Sequence, residues 1–66
     1  MTAHEKVIYI IQQLEISDSK VARAIQKSVS AASHKRLRLR DNKFTEEDYQ
    51  RIRDFYIEKL RKIEML

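Results

Sequence analysis

A chain of 66 residues forms a single domain with a thin core, because a polypeptide this short hides only about 60% of its unfolded surface on folding. It has no cysteine, which excludes a disulfide framework, and no glycine or proline among many helix-favouring residues, so the expected class is all-α. The net charge of +4 comes without a long apolar run or an N-terminal secretion signal, so we expect a cytoplasmic protein with no membrane segment.

The first predicted helix covers residues 3–14. Thr2 can cap the third helical amide while Glu5 reaches back to the amide of Thr2, which is the pattern of a capping box. The apolar stripe of this helix contains Val7, Ile11 and Leu14, with Ile8 beside it. The β-branched and aromatic run over residues 7–11 also fits a strand. We prefer a helix because no second strand is present to pair with it.

Two short helices are predicted next, over residues 18–26 and 30–38. Residues 16–19 supply N-cap candidates for the first of them. Its apolar residues are Val21, Ala22 and Ile25. A Ser-Val-Ser sequence at residues 28–30 then interrupts the helical pattern with further capping residues. Two short helices separated by a break of three or four residues indicate a helix-turn-helix.

The fourth predicted helix has the strongest start signal in the chain. An Asp-Asn pair at residues 41–42 favours a loop after a basic run at residues 35–40. Thr45 follows as the N-cap, with three acidic residues in the first helical turn. Phe44 and Tyr49 are spaced as a hydrophobic staple around this cap. We therefore expect a long C-terminal helix over residues 46–64.

This last helix carries more apolar side chains than one stripe can hold. They lie on more than one of its sides and comprise Tyr49, Ile52, Phe55, Tyr56, Ile57, Leu60 and Ile63. Because their spacing is helical and their flank is acidic, we interpret the aromatic residues as core or interface and not as a base-stacking platform. A second chain, identical or not, is expected to bury Tyr56, Ile57, Leu60 and Ile63.

Positive charge is concentrated in the middle of the chain. Residues 1–19 have a net charge of −2, residues 20–43 of +7 and residues 44–66 of −1. A basic patch confined to one segment is typical of a phosphate-facing surface. The alternative interpretation is the solvated face of a small bundle. We favour nucleic-acid binding because a cap, a helix break and the charge all coincide in the central segment.

Small and aliphatic residues surround the helix break. Val21, Ala22 and Ile25 lie on the first short helix, and Ala32 on the second is placed to pack back on Ala22. Together with the serines that follow the break, this pattern resembles the helix-turn-helix of the Cro and repressor family of phage and bacterial regulators. The resemblance implies a single helix-turn-helix domain over residues 1–66 that controls transcription in a phage or mobile element by occupying an operator.

Three features depart from the family pattern. Gln26 stands at a turn position usually held by glycine, and Lys27 at the apolar position after it, so we expect a different turn conformation. Lys35 stands where the family buries an aliphatic side chain or tryptophan. Either its stem lies along the core with its ammonium group in solvent, or the helix is rotated so that Leu37 or Leu39 is buried. The family commonly has five helices, and this chain has room for four.

The central segment supplies the expected DNA contacts. Residues expected to face the bases in the major groove are Ser30, Ala31, Ser33, His34 and Leu37. Residues expected to contact phosphates are Lys27, Ser28, Lys35, Arg36, Arg38, Arg40 and Lys43. The expected ligand is double-stranded DNA, bound by a two-fold dimer on half-sites about 34 Å apart.

The sequence predicts no catalysis. There is no cysteine, no glycine-rich phosphate loop and no metal-ligand spacing between His4 and His34, so we expect no enzyme activity, cofactor, metal or small-molecule substrate. We expect His4 to have no role and the carboxylates of residues 46–48 to be explained by the first turn of a helix. The rival function is an antirepressor that binds another regulator protein and blocks its DNA surface. Surplus apolar surface on the last helix would favour it.

Overall fold

The computed structural model describes residues 1–66 and is entirely helical. The elements are α1 (Ala3–Leu14), α2 (Asp18–Ile25), α3 (Val29–Leu37) and α4 (Glu46–Glu64), with a short 3-10 turn at Leu39–Asp41. This confirms the expected all-α class with a long C-terminal helix, and it excludes the strand alternative for residues 7–11. The predicted bounds are correct for the first and last helices and within one residue for the middle two. The 3-10 turn lies where a plain loop was expected.

A hydroxyl side chain caps the N-terminus of every α-helix. The caps are Thr2, Ser17, Ser28 and Thr45, and each accepts a hydrogen bond from the amide three residues later. Both predicted caps with a following acid form full capping boxes, in which Glu5 and Asp48 accept from the amides of Thr2 and Thr45. One orphan amide at each helix start is therefore satisfied by a residue only three positions away in the sequence.

The first three helices end at left-handed residues although the chain has no glycine. Glu15, Gln26 and Arg38 have φ values of 52°, 61° and 56°. The expectation of a different turn conformation is wrong at Gln26, because glutamine itself adopts the left-handed geometry that glycine favours. The amide of Lys27 then donates to the carbonyl of Ala22 at 3.0 Å, which closes the end of α2.

A small core holds the four helices together. It consists of Val7, Ile16, Val21, Ala22, Ala24, Ile25, Ala32, Phe44 and Ile52. Helix α2 packs against both α3 and α4, while α1 packs against α4. Ala22 and Ala32 are buried as the sequence pattern predicted, and Phe44 of the predicted staple is buried in the same core. Leu14 was assigned to the buried stripe of α1, but it is exposed at the C-terminal end of that helix.

The C-terminal half of α4 extends beyond this core. A 19-residue helix is about 28 Å long, whereas the two shorter dimensions of the molecule are 24 and 19 Å. Every residue from Ile57 to Leu66 is exposed. None of the helices combines the length and apolar character needed to span a membrane.

Candidate nucleic-acid interface

Helix α3 presents one stripe of side chains to solvent. Ser30, His34 and Leu37 are all exposed, and their spacing of four and three residues places them on a single helical face. Ala32 faces the opposite way into the core, while Ala31 and Ser33 are half-buried on the two sides. The helix contains no acidic residue. The five predicted base-facing residues therefore form an outward stripe with two half-buried flanks.

Lys35 lies on the buried side of α3 and does not face solvent. Its ammonium group donates to the carboxylate of Asp48 on α4, and the two side chains are 12% and 2% exposed. Neither of the two expected arrangements is correct, because the ammonium is buried in an ion pair and both Leu37 and Leu39 are exposed. Lys35 is therefore not available as the phosphate contact predicted from the sequence.

Asp48 is the acceptor at the centre of this part of the fold. It also accepts from the amide of Thr45, and the ammonium of Lys27 lies 3.8 Å from its second oxygen. Burial raises the pKa of Asp48, but the hydrogen bonds from Lys35 and Thr45 and the two lysine charges outweigh it and lower the pKa overall. The first-turn explanation is thus incomplete for Asp48, although it suffices for its two exposed acidic neighbours.

Arg36 is held by an acid at the start of α2. Its Nε and Nη2 atoms donate to the two carboxylate oxygens of Asp18 at 2.8 and 3.0 Å. This bidentate bond lowers the pKa of Asp18 and raises that of Arg36. Arg36 was predicted to neutralise a phosphate, but its fork is occupied by Asp18. Its position instead fixes α3 against α2.

Five cations of the basic segment, residues 20–43, take part in no ion pair. Three of them follow α3 and belong to the predicted phosphate contacts: Arg38, Arg40 and Lys43, all exposed. The other two, Lys20 and Arg23, are exposed on α2 and were left out of the sequence-based site. The charge distribution contained the signal for them, because the basic segment begins at Lys20. Lys27 is intermediate, since it is exposed but lies near Asp48.

His4 has a structural role that the sequence did not indicate. It is 8% exposed, its Nδ1 accepts a hydrogen bond from the amide of Phe44 at 3.1 Å, and its ring stacks on that of Phe44 at 5.5 Å. Burial lowers the pKa of His4, and the charges of Arg38 and Lys43 lower it further against a smaller opposing effect of Glu5. The neutral imidazole therefore joins the start of α1 to the start of α4.

The predicted partner surface divides into two parts. Ile57, Leu60 and Ile63 are 38%, 51% and 62% exposed, so the chain's own core does not use them. Tyr56 is instead half-buried beside Phe55, where the two rings meet edge to face at 5.2 Å. Burial raises the pKa of Tyr56. The apolar surplus of α4 thus lies in about its last two turns.

Comparison of the chain with protein-family models, with curated proteins and with solved structures found no match. The resemblance to Cro and repressor proteins therefore stands on the motif residues alone. Of these, Ala22 and Ala32 are buried, while Gln26, which departs from the family pattern, adopts a left-handed conformation at the turn. The functional argument depends on the surface geometry described above.

Proposed function

We propose that the protein binds duplex DNA through α3 and regulates transcription by occupying an operator. The observation that carries this proposal is the acid-free, exposed stripe of Ser30, His34 and Leu37, followed directly by the unpaired cations Arg38 and Arg40. The major groove is about 12 Å wide and admits an α-helix. In the proposed complex the stripe enters that groove and the cations contact the flanking phosphates.

The side chains of this surface have separate tasks in the proposed complex. Hydroxyl and imidazole groups of Ser30 and His34 read base edges, and Leu37 contacts a thymine methyl group. Phosphates are bound by Lys27, Ser28, Arg38, Arg40 and Lys43. Lys35 and Arg36 bind no phosphate, because they are paired with Asp48 and Asp18. These two ion pairs instead fix the orientation of α3 relative to α4 and α2.

A dimer is part of the proposal. A domain of this size covers few base pairs, and a two-fold pair reads two half-sites about one helical turn apart. The exposed Ile57, Leu60 and Ile63 of α4 are the surface available for that contact. The proposed setting is the cytoplasm of a cell that carries a phage or mobile element, where such an operator would lie.

Salt-dependent binding to duplex DNA tests this function. Arg38→Ala and Arg40→Ala should each weaken binding to all duplexes and reduce the slope of log K against log salt by about one. Arg61→Ala is the matched control, because Arg61 is also exposed and unpaired but lies at the far end of α4. His34→Ala should instead reduce discrimination between sites by about 1 to 3 kcal/mol while the slope stays constant.

Two observations favour a second function, that of an antirepressor. Part of the apolar surface of α4 is exposed and does not belong to the core. Two of the predicted phosphate contacts, Lys35 and Arg36, are already paired with acidic residues of the same chain. A protein with these features could bind another regulator through α4 and cover its DNA surface. If no duplex binds with salt-sensitive affinity while a repressor binds tightly, the antirepressor function replaces the operator-binding one.

A further inference from the structure

A surface cavity of about 310 Å³ lies where the starts of α1 and α4 meet the segment after α3. Its wall includes Thr2, His4, Arg38, Lys43, Thr45 and Glu46. The cavity thus brings together residues from the start of α1, from the start of α4 and from the basic segment. No part of it belongs to the outward stripe of α3.

His4 contributes a hydrogen-bond donor to this cavity. Its Nδ1 accepts from the amide of Phe44, so in the neutral ring the proton is on Nε2. Nε2 has no hydrogen-bond partner within the chain, yet the chain contains no buried side-chain nitrogen or oxygen without a partner. Nε2 must therefore reach solvent, and His4, 8% exposed, lines this cavity. The donor is fixed in direction by the bond at the other ring nitrogen.

Two cations and two helix starts give the cavity a positive potential. Arg38 and Lys43 form no ion pair, and both lie close enough to His4 to oppose its protonation. The N-termini of α1 and α4 add the positive ends of their dipoles. The amides of Thr2 and Thr45 are occupied by their capping acids, so the field of the helix starts, and not these two amides, is what they add to the cavity. Glu46 is the one acid in the wall, and its side chain forms no ion pair.

We propose that this cavity binds one phosphate group, with His4 donating from Nε2 and Arg38 and Lys43 supplying the charge. Phosphate fits this set of donors because its several oxygens accept from an imidazole, a guanidinium and an ammonium group at once. The phosphate comes either from the free anion or from a DNA backbone. Only the second source depends on the function proposed above, in which the cavity would anchor the duplex beside α3.

A titration with inorganic phosphate at constant ionic strength tests the site, with nuclear magnetic resonance observing the imidazole of His4 and the backbone amides. Phosphate should shift the Nε2 signal saturably while Nδ1 stays unprotonated. Arg38→Gln and Lys43→Gln should each weaken phosphate binding about tenfold. Arg40→Gln is the matched control, because Arg40 is exposed in the same segment but does not line the cavity. Its affinity should be unchanged.

The same variants titrated with a short duplex identify the source of the phosphate. A response of His4 to both ligands, or to the duplex alone, supports a backbone phosphate in the cavity. A response to inorganic phosphate alone supports the site with the free anion as its ligand. If the duplex shifts no α3 amide signal while inorganic phosphate still binds, the DNA-binding function is rejected and the phosphate site is retained. The site is refuted if neither ligand shifts Nε2, or if Arg40→Gln weakens the binding of inorganic phosphate as much as Arg38→Gln does.

Discussion

Replacing Asp48 by asparagine should be among the most destabilising single changes of a polar residue in this protein. The substitution keeps an oxygen that can accept from the amide of Thr45, so the cap survives. It removes the charge that compensates Lys35, whose side chain is 12% exposed. The experiment therefore isolates the ion pair between α3 and α4 from the capping of α4.

The expected loss follows from the burial of the two groups. Breaking a buried ion pair by removing one partner costs about 3 to 5 kcal/mol. The residual exposure of Lys35 lets its ammonium group recover some hydration, which places the expected loss at the lower end, about 3 kcal/mol. A domain of 66 residues has a total free energy of unfolding of about 3 to 10 kcal/mol. The variant should thus lose about a third of its stability or more.

Urea denaturation followed by circular dichroism measures this loss, and Glu47→Gln is the matched control. Glu47 is adjacent and pairs with Arg51 at 2.6 Å, but its side chain is 71% exposed, so its replacement should cost about 0.5 kcal/mol or less. The double variant Lys35→Met with Asp48→Asn should recover most of the stability, since it leaves no buried charge. The reasoning is wrong if Asp48→Asn costs no more than Glu47→Gln, or if the two substitutions of the double variant simply add.

Three further predictions concern other parts of the fold. Because the pKa of His4 is lowered, its contribution to the free energy of unfolding should be fully present above the ordinary value of 6.5. That contribution should decrease as the pH drops from 6.5 towards about 5.5, a window in which the carboxylates remain largely ionised. The slope cannot exceed about 1.4 kcal/mol per pH unit, and it should vanish in His4→Phe but persist in His34→Ala. Gln26→Gly should raise the free energy of unfolding by about 0.5 to 1 kcal/mol. Glycine removes the steric strain of the left-handed conformation but loses more backbone entropy on folding, so only part of the gain remains. An unchanged or lower urea midpoint contradicts this. Leu60→Asp should abolish self-association in sedimentation and leave the melting temperature of the dilute, monomeric protein nearly unchanged. A wild-type protein that is monomeric at high concentration argues against the dimer surface.

Local signals account for the parts of the fold that the sequence predicted well. Thr2 and Thr45 contact acids only three residues away, so their capping boxes fix the starts of α1 and α4 without any tertiary information. Leu14 was misassigned because local signals do not include the extent of the neighbouring helices. Helical periodicity places it on the core face, but periodicity does not show where the neighbouring helices stop covering that face.

The candidate site was harder to predict because its key contacts are distant in sequence. Lys35 and Asp48 are 13 residues apart, and His4 and Phe44 are 40 apart. A charge count treats every lysine of a basic segment alike, so it cannot separate Lys35, which is bound inside, from Lys43, which is free. Which lysines are free depends on which face of α3 packs on the core. The burial of Ala32 identifies that face, and the exposed stripe lies opposite it.

The two ion pairs of α3 also determine how firmly this helix is attached. Ala32 is its only fully buried side chain, so the ion pairs of Arg36 with Asp18 and of Lys35 with Asp48 contribute to holding α3, beside its packing against α2. A helix with so little apolar contact is expected to open as a separate cooperative unit, and its amides should exchange with deuterium well before those of α1 and α4. Salt screens the partly exposed pair of Arg36 with Asp18. Rising ionic strength would then loosen the hold of α3 on the bundle before the molecule unfolds, so that one solution variable controls both the order of this helix and its attraction to polyanions.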